Sequence, residues 1–265
     1  MIGVNLTSAG QINKFIPMIE SRNIDYIEIL IDNFLYCDPY SVLDTFNNIP
    51  VAFHIMRSRF LERDYQELVQ IAKKISMFIN IIKPIYVSDH LAEFFLDNLP
   101  LPKNNELKYD EDKADFFKKV KIWQDLLDAE ILFENYPSLT NRGKSQPEFL
   151  YHLVKETSCG ILFDISNAFI ATKNLQLPAS CWNPVLELSR NFHVGGYSVL
   201  EGSDLLLDSH DQRISNGSKK YIKSISDANF PINTITVEYD HNINYDLWCD
   251  DIKEIQGILL GGSYE

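Results

Sequence analysis

Short apolar runs alternate with longer amphipathic ones along this chain. The short runs fall at residues 2–6, 26–31, 51–55, 85–88, 131–134, 160–164, 191–195 and 234–238. They are rich in Ile, Val, Phe and Tyr, as parallel strands buried on both faces are. The stretches between them carry helical periodicity. In residues 64–82, Leu68, Ile71, Ala72, Ile75, Phe78, Ile79 and Ile82 recur at spacings of three and four, which makes one buried helical face. Asp64 is placed to cap that helix, with Glu67 in the capping-box position, and Pro84 stops it. Residues 113–127, 147–156, 218–228 and 245–260 read in the same way. Eight strands alternating with helices predict a parallel sheet, and eight close more readily into a (β/α)8 TIM barrel than into an open sheet. Residues 1–265 are expected to form one domain. Residues 96–112 are polar, contain Pro100 and Pro102, and read as a long loop over the top face.

Composition narrows the function. The chain has 265 residues and is 45% hydrophobic, enough for one sizeable core. Its net charge of -13 argues against a nucleic-acid partner or an anionic membrane surface, both of which reward a basic face. Cys37, Cys159, Cys181 and Cys249 are scattered, so neither a disulfide framework nor a thiolate zinc site is expected. No signal-peptide pattern or membrane-length apolar run is visible, which makes a cytoplasmic location the expectation. No strand is followed by a dinucleotide or P-loop fingerprint.

The chemistry lies where the strands end. His54, Ser88-Asp89-His90, Glu134-Asn135, Asp164 and His193 sit at or beside strand C-termini, with Asn167 one turn after Asp164. Asp208 and His210 follow the seventh strand, and Glu238 with Asp240 ends the last. In a barrel these positions converge on one mouth. A lone strand histidine is more often a hydrogen-bonded core residue. Carboxylates and imidazoles ending several successive strands would repel one another unless cations offset them. The donors are His, Asp, Glu and one Asn amide, without thiolate. They are too many for one ion and suit two or three ions of iron, zinc or manganese. Asp32, Asn33, Asp89 and Asn135 flank the mouth, where they either orient ligands from behind or cap loops and strand ends. Gly195-Gly196 marks a close backbone approach or a tight strand exit. Trp123, Trp182 and Trp248 read as packing. His152 lies inside a helix, and His241 is left unassigned.

The ordered set His54, Asp89-His90, Glu134-Asn135, Asp164-x-x-Asn167, His193-x-Gly195-Gly196-Tyr197, Asp208-x-His210 and Glu238-x-Asp240 resembles the multinuclear non-haem iron-dependent oxidases. The resemblance spans essentially the whole chain and looks most like the methanobactin-type MbnB branch. It is carried there by Asp25-Tyr26-Ile27-Glu28, Phe53-His54-Ile55-Met56 and Leu162-Phe163-Asp164. The resemblance implies two or three iron ions in mixed Fe2+ and Fe3+ states and dioxygen as co-substrate. It implies four-electron oxidation of a cysteine in a ribosomally made precursor peptide (MbnA-like, with a leader) to an oxazolone and thioamide. It also implies an MbnC-like partner protein, hence a heterodimer. Carried over by residue, the expected metal ligands are His54, His90, Glu134, Asp164, Asn167, His193, Asp208, His210 and Glu238. Asp240 is the expected general base or proton shuttle. Tyr239 departs from the basic residue that relatives often carry there, which puts contacts to the substrate in question. Alternative readings are a trinuclear-zinc phosphodiesterase of the endonuclease IV type, a sugar isomerase with two divalent ions, or a metal-binding scaffold that only presents the peptide. Asn167 stands where the endonuclease family has a further His.

Overall fold

The computed structural model describes residues 1–21, 23–46, 49–96, 99–111, 113–240 and 244–261. His241 and Asp112 lie outside them. The strands are β1 (Ile2–Leu6), β2 (Tyr26–Leu30), β3 (Val51–Ile55), β4 (Val87–His90), β5 (Ala92–Leu96), β6 (Leu99–Glu106), β7 (Ile131–Glu134), β8 (Gly160–Asp164), β9 (Asn191–Val194), β10 (Tyr197–Val199), β11 (Leu206–Asp208) and β12 (Thr234–Val237). The helices are α1 (Ile12–Glu20), α2 (Pro39–Phe46), α3 (Tyr65–Ile82), α4 (Lys113–Leu127), α5 (Gln146–Thr157), α6 (Ile165–Asn174), α7 (Asn183–Leu186), α8 (Asn216–Asp227) and α9 (Tyr245–Leu259). The expected barrel is present. Its parallel strands close in the order β1-β12-β9-β8-β7-β4-β3-β2. No described helix is long and apolar enough to cross a membrane.

Period-two alternation sorts each strand into two faces. Outward residues such as Ile27, Ile29, Phe53, Phe133, Phe163 and Phe192 pack against the helices in the main core. Inward residues form layers. Tyr26, Ala52, Tyr86, Leu132 and Leu162 make a small separate apolar cluster inside the barrel. Two residues further along those strands stand Glu28, His54, Ser88, Glu134 and Asp164. The polar layer therefore sits directly on an apolar plug. Register aligns it across the sheet, pairing His90 with Glu134 and Asp164 with His193. Trp123, Trp182 and Trp248 are fully buried packing residues, as expected.

The expected long loop at 96–112 is corrected by the structure. Residues 99–106 of it form β6, paired antiparallel with β5 as a hairpin. Pro100 and Pro102 mask the strand in the sequence, yet an edge strand tolerates proline because one row of its N–H groups has no ladder partner. The hairpin's other edge is met by side chains instead: Glu62 accepts from Phe94 N and Phe95 N, at 2.8 and 2.9 Å. A second hairpin, β10–β11, follows β9.

Helix α3 shows the expected cap. Asp64 accepts a hydrogen bond from Glu67 N at 2.9 Å. The Glu67 carboxylate does not complete the box and instead lies 3.6 Å from Arg63. Lys83, in the left-handed conformation with φ 55°, ends the helix just before Pro84. Asp64→Ala should lower the unfolding free energy by about 1 kcal/mol in urea denaturation while leaving metal uptake unchanged. An unchanged transition would show that the cap contributes nothing.

Candidate metal centre

A cavity of about 430 Å³ opens at the C-terminal end of the barrel. Its wall includes His54, His90, Glu134, Asn167, Asp208, His210, Glu238 and Asp240. It also includes Lys103 and Asn104 from the β5–β6 hairpin and Ser198 and Leu207 from the β10–β11 hairpin. Asp164 and His193 lie fully buried at its floor. All ten residues singled out in the sequence as ligands or base thus meet in one place.

They form three linked groups of donors. His54, His90 and Glu134 offer ligand atoms within 4.8 Å of one another, and so do Glu134, Asp164, His193 and Glu238. In the third group, His210 Nε2 lies 2.7 Å from Asp208 Oδ1 and 3.6 Å from Glu238 Oε2. Glu134 belongs to the first two groups and Glu238 to the last two, as carboxylates bridging neighbouring ions would.

The orientation of these groups is more telling than their proximity. Asp164 Oδ2, Asn167 Oδ1, His193 Nδ1, Asp208 Oδ1, His210 Nε2 and Glu238 Oε2 are all buried without a hydrogen-bond partner. Buried polar atoms are rarely left so. Asp208 Oδ1 and His210 Nε2 are close enough to bond but are not aligned as donor and acceptor. Meanwhile the other polar atom of Asp164, Asn167, His193 and His210 is engaged. Asp164 Oδ1 caps α6 by accepting from Asn167 N at 2.6 Å. Asn167 Nδ2 donates to Asn135 O at 3.0 Å, which turns its Oδ1 toward the cavity. His193 Nε2 donates to Glu28 Oε2 at 2.8 Å. His210 Nδ1 is 3.1 Å from Asp240 Oδ2. His54 Nδ1 meets Ser88 Oγ at 2.8 Å, while Ser88 itself donates to Phe53 O. A ring nitrogen turned to a fixed acceptor leaves the other free as a metal ligand.

Electrostatics exclude a self-neutralised ion-pair network. Burial, together with neighbouring His90, pushes His54 well below its ordinary pKa. Burial beside His193 and His210 brings His90 to about 4. Both rings are therefore neutral at pH 7. Burial opposes charge on His193 and His210 as well, but Glu238 with Glu28, and Asp208 with Glu238, raise the two above the ordinary range. Two imidazolium ions then face Glu28, Glu134, Asp164, Asp208, Glu238 and Asp240. Among the described residues lining the cavity, Lys103 is the only Lys or Arg. The carboxylates respond by holding protons. Burial lifts Glu134 well above its usual range. Burial, then Glu238 and Asp208, lifts Asp164 to about 7. Cations would replace those protons.

The loop bearing His210 is tightly held. His210 has φ 46°, a left-handed conformation that costs a non-glycine residue about 1 kcal/mol or more. Its N–H donates to Gly196 O at 3.0 Å, and its carbonyl accepts from Asp240 N at 2.8 Å. A Cβ on Gly195 would lie 2.5 Å from His210 Cδ2, and one on Gly196 would strike the Gln212 carbonyl. The glycine pair thus makes room for the ligand loop. Tyr239 is buried, and its hydroxyl donates to Asp211 O at 3.3 Å while its ring packs on Trp248. It faces away from the cavity, so the question it raised about substrate contacts falls away.

Of the flanking residues, Asp32 and Asn33 tie loops and strand ends, whereas Asn135 orients ligands from behind. Asp32 accepts from Met56 N and Arg57 N, and Asn33 donates to Thr7 O. Asp89 points outward to Trp123 Nε1 at 2.8 Å. Asn135 brackets Asp164 through both backbone groups. His152 is half-exposed on α5, near Glu148. Glu28 was not among the candidate residues, although its inward parity on β2, two residues after Tyr26, marks it. Asn5, which donates to Asp240 Oδ1 at 2.6 Å, was missed too.

The family model of the RiPP precursor modification enzymes MbnB/TglH/ChrH matches residues 2–259. The chain belongs to that family. A UPF0276 protein of Caulobacter vibrioides is 27% identical over 205 residues, covering 72% of this chain and 70% of that protein. Another, from Psychromonas ingrahamii, is 28% identical over 156 residues, and the match spans only about half of it (53%). Among solved structures, a xylose isomerase-like TIM barrel protein from Mycobacterium smegmatis, in complex with magnesium, aligns with a TM-score of 0.67 at 12% identity over 98% of this chain and 96% of that one. Endonuclease IV from Thermus thermophilus aligns at 0.60 and 13% identity, over 98% and 99%. At such identities these two show the fold alone. That family is described as one of RiPP precursor modification enzymes.

Two outcomes follow from the site. Because Asp164 titrates near 7 in the metal-free chain, metal binding must displace its proton. Affinity for a divalent ion should therefore weaken as pH falls through about 7, and the protons held by Glu134, His193 and His210 keep it rising above that. The same raised value means that the metal-free fold gains stability from this group at low pH and loses it as pH rises from about 4 toward 7. Calorimetric titrations from pH 6 to 8 check the first, and a pH-independent affinity would contradict it. Gly195→Ala should push the His210 ring aside and weaken ion uptake by about tenfold or more, with the barrel's circular dichroism intact.

Proposed function

We propose that this chain is an iron- and dioxygen-dependent oxidase of the methanobactin type. It acts on a cysteine of a ribosomally made precursor peptide. The observation that carries the reading is the set of buried, unpartnered donor atoms, joined by bridging carboxylates, that faces one cavity in a family of precursor-peptide enzymes. His54, His90 and Glu134 would hold one ion. Glu134, Asp164, Asn167 Oδ1, His193 Nδ1 and Glu238 would hold a second, and Asp208, His210 and Glu238 a third. Imidazole and carboxylate donors without thiolate suit iron. Bound iron in mixed ferrous and ferric states supplies a seat for the cysteine thiolate and the reducing equivalents that activate dioxygen.

The chain's own residues do the rest. The two hairpins both line the cavity and would shield it from bulk water. Asp240 is a partly exposed carboxylate on the rim, held by Asn5 and by His210. Its placement suits it to take a proton from the bound peptide, with His210 Nδ1 as its neighbour. Over the whole reaction the cysteine and its neighbouring residue lose four electrons and four protons, giving oxazolone and thioamide, while one dioxygen becomes two waters. A small MbnC-like partner would hold the leader of the peptide, and the cavity alone would take the reacting segment.

Anaerobically iron-loaded chain, mixed with partner and a cysteine-containing precursor and then exposed to oxygen, should consume one dioxygen per modified cysteine. The peptide should lose four hydrogen atoms by mass spectrometry. Peptide binding without oxygen uptake would make the chain a presenting scaffold and overturn the proposal. Asp240→Asn should retain its iron while turnover falls by about a hundredfold or more. Loss of iron instead would assign Asp240 to holding His210 rather than to moving a proton.

A further inference from the structure

We infer that Glu28 is a positioning residue that fixes His193 with its proton on Nε2, so that Nδ1 is the atom offered to the central ion. This rests on the metal-centre reading above and extends it beyond the ligands. Glu28 is 1% exposed and His193 is fully buried. Glu28 Oε2 lies 2.8 Å from His193 Nε2. A carboxylate can only accept, so this contact requires the proton on Nε2. His193 Nδ1 is then left facing Glu238 Oε1 at 3.2 Å and Glu134 Oε1 at 3.8 Å, with no hydrogen-bond partner of its own.

Glu28 is itself held from below. Tyr86 OH donates to the same Oε2 at 2.5 Å. Thr236 Oγ1 is 3.1 Å from Tyr86 OH and 2.6 Å from Tyr26 OH. Every hydroxyl in this chain can donate toward Glu28, from Tyr26 through Thr236 and Tyr86. The carboxylate shares the polar layer of the donors, is tied to the apolar plug beneath, and belongs to neither close group of possible ligands. Gly3 completes the device. A Cβ there would overlap the Tyr26 ring, so β1 must be bare at the level of the plug.

The His54 ring offers an internal comparison. Its orienting partner is a neutral hydroxyl, Ser88. His193 has a full negative charge in the same role, which makes its Nδ1 the more basic donor. The central ion, shared by both bridging carboxylates, therefore depends on a carboxylate outside the ligand set, as the ion at His210 does on Asp240.

The test is cobalt(II) titration of the metal-free full-length chain and of Glu28→Gln and Tyr86→Phe variants, followed by the d–d absorption bands. Glu28→Gln should weaken the ion bound through His193 by about 10- to 100-fold and alter its bands, without lowering the thermal midpoint of the metal-free chain. Tyr86→Phe keeps the carboxylate and should bind within a few-fold of the parent. Equal affinity and identical spectra for Glu28→Gln and parent would overturn the inference. A parent chain that takes up no ion would overturn the metal-centre reading itself. Should Glu28→Gln fail to fold, histidine-labelled ¹⁵N spectra of the zinc-loaded parent decide. The expected result is a protonated Nε2 and a metal-shifted Nδ1 on His193, and the reverse assignment contradicts the proposal.

Discussion

Too many carboxylates meet in a place that protein alone cannot neutralise. Glu134, Asp164, Asp208 and Glu238 converge where His54 and His90 are driven neutral by burial, and only His193 and His210 can carry a compensating charge. Desolvated like charges at such separations are tolerated when they are protonated or share a cation. The metal-free chain adopts the first solution, with protons on Glu134 and Asp164. The unpartnered lone pairs are shaped for the second. A salt-bridge network would align donors with acceptors; here the closest pair, Asp208 with His210, is not aligned.

The barrel makes this arrangement affordable to build by separating stability from chemistry. The outward faces of the strands pack an extensive core against the helices. Inside, an apolar plug anchored by Tyr26 and Tyr86 supports one polar layer. Among the donor residues, His210 alone adopts a left-handed conformation, in the segment after β11. The backbone there is clamped by Gly196 and Asp240, and Asp251 pins the following residues through Ile214 N and Arg213. Ligands on strand ends are set by the sheet register, whereas those on this loop depend on a handful of local bonds.

Much of this was legible in the chain. Buried parallel strands read as short runs of Ile, Val and Phe, and six of the eight carry at or beside their ends a His, Asp or Glu that has no place in a core, so most ligands announced themselves by position. Strand parity carried more than was taken from it. Asp89 and Tyr239 sit one residue from true cavity-facing positions and so face the helices, while Glu28, flanked by Ile27 and Ile29, has inward parity. The hairpins were hidden because prolines in β6 and the shortness of β10 and β11 erase the alternating pattern. The hydrogen bonds that select one nitrogen of each imidazole join residues far apart in the chain, such as Glu28 with His193 and Asn5 with Asp240, and no local spacing encodes them.

The most direct test is metal analysis of the full-length chain produced anaerobically in iron-replete cells, with Mössbauer spectra of the same sample. The proposed oxidase activity predicts two or three irons per chain in mixed ferrous and ferric states, lost when Glu134 and Glu238 are replaced together by Gln. Stoichiometric zinc with no retained iron would contradict the oxidase. A chain that binds no metal at all would contradict the centre itself.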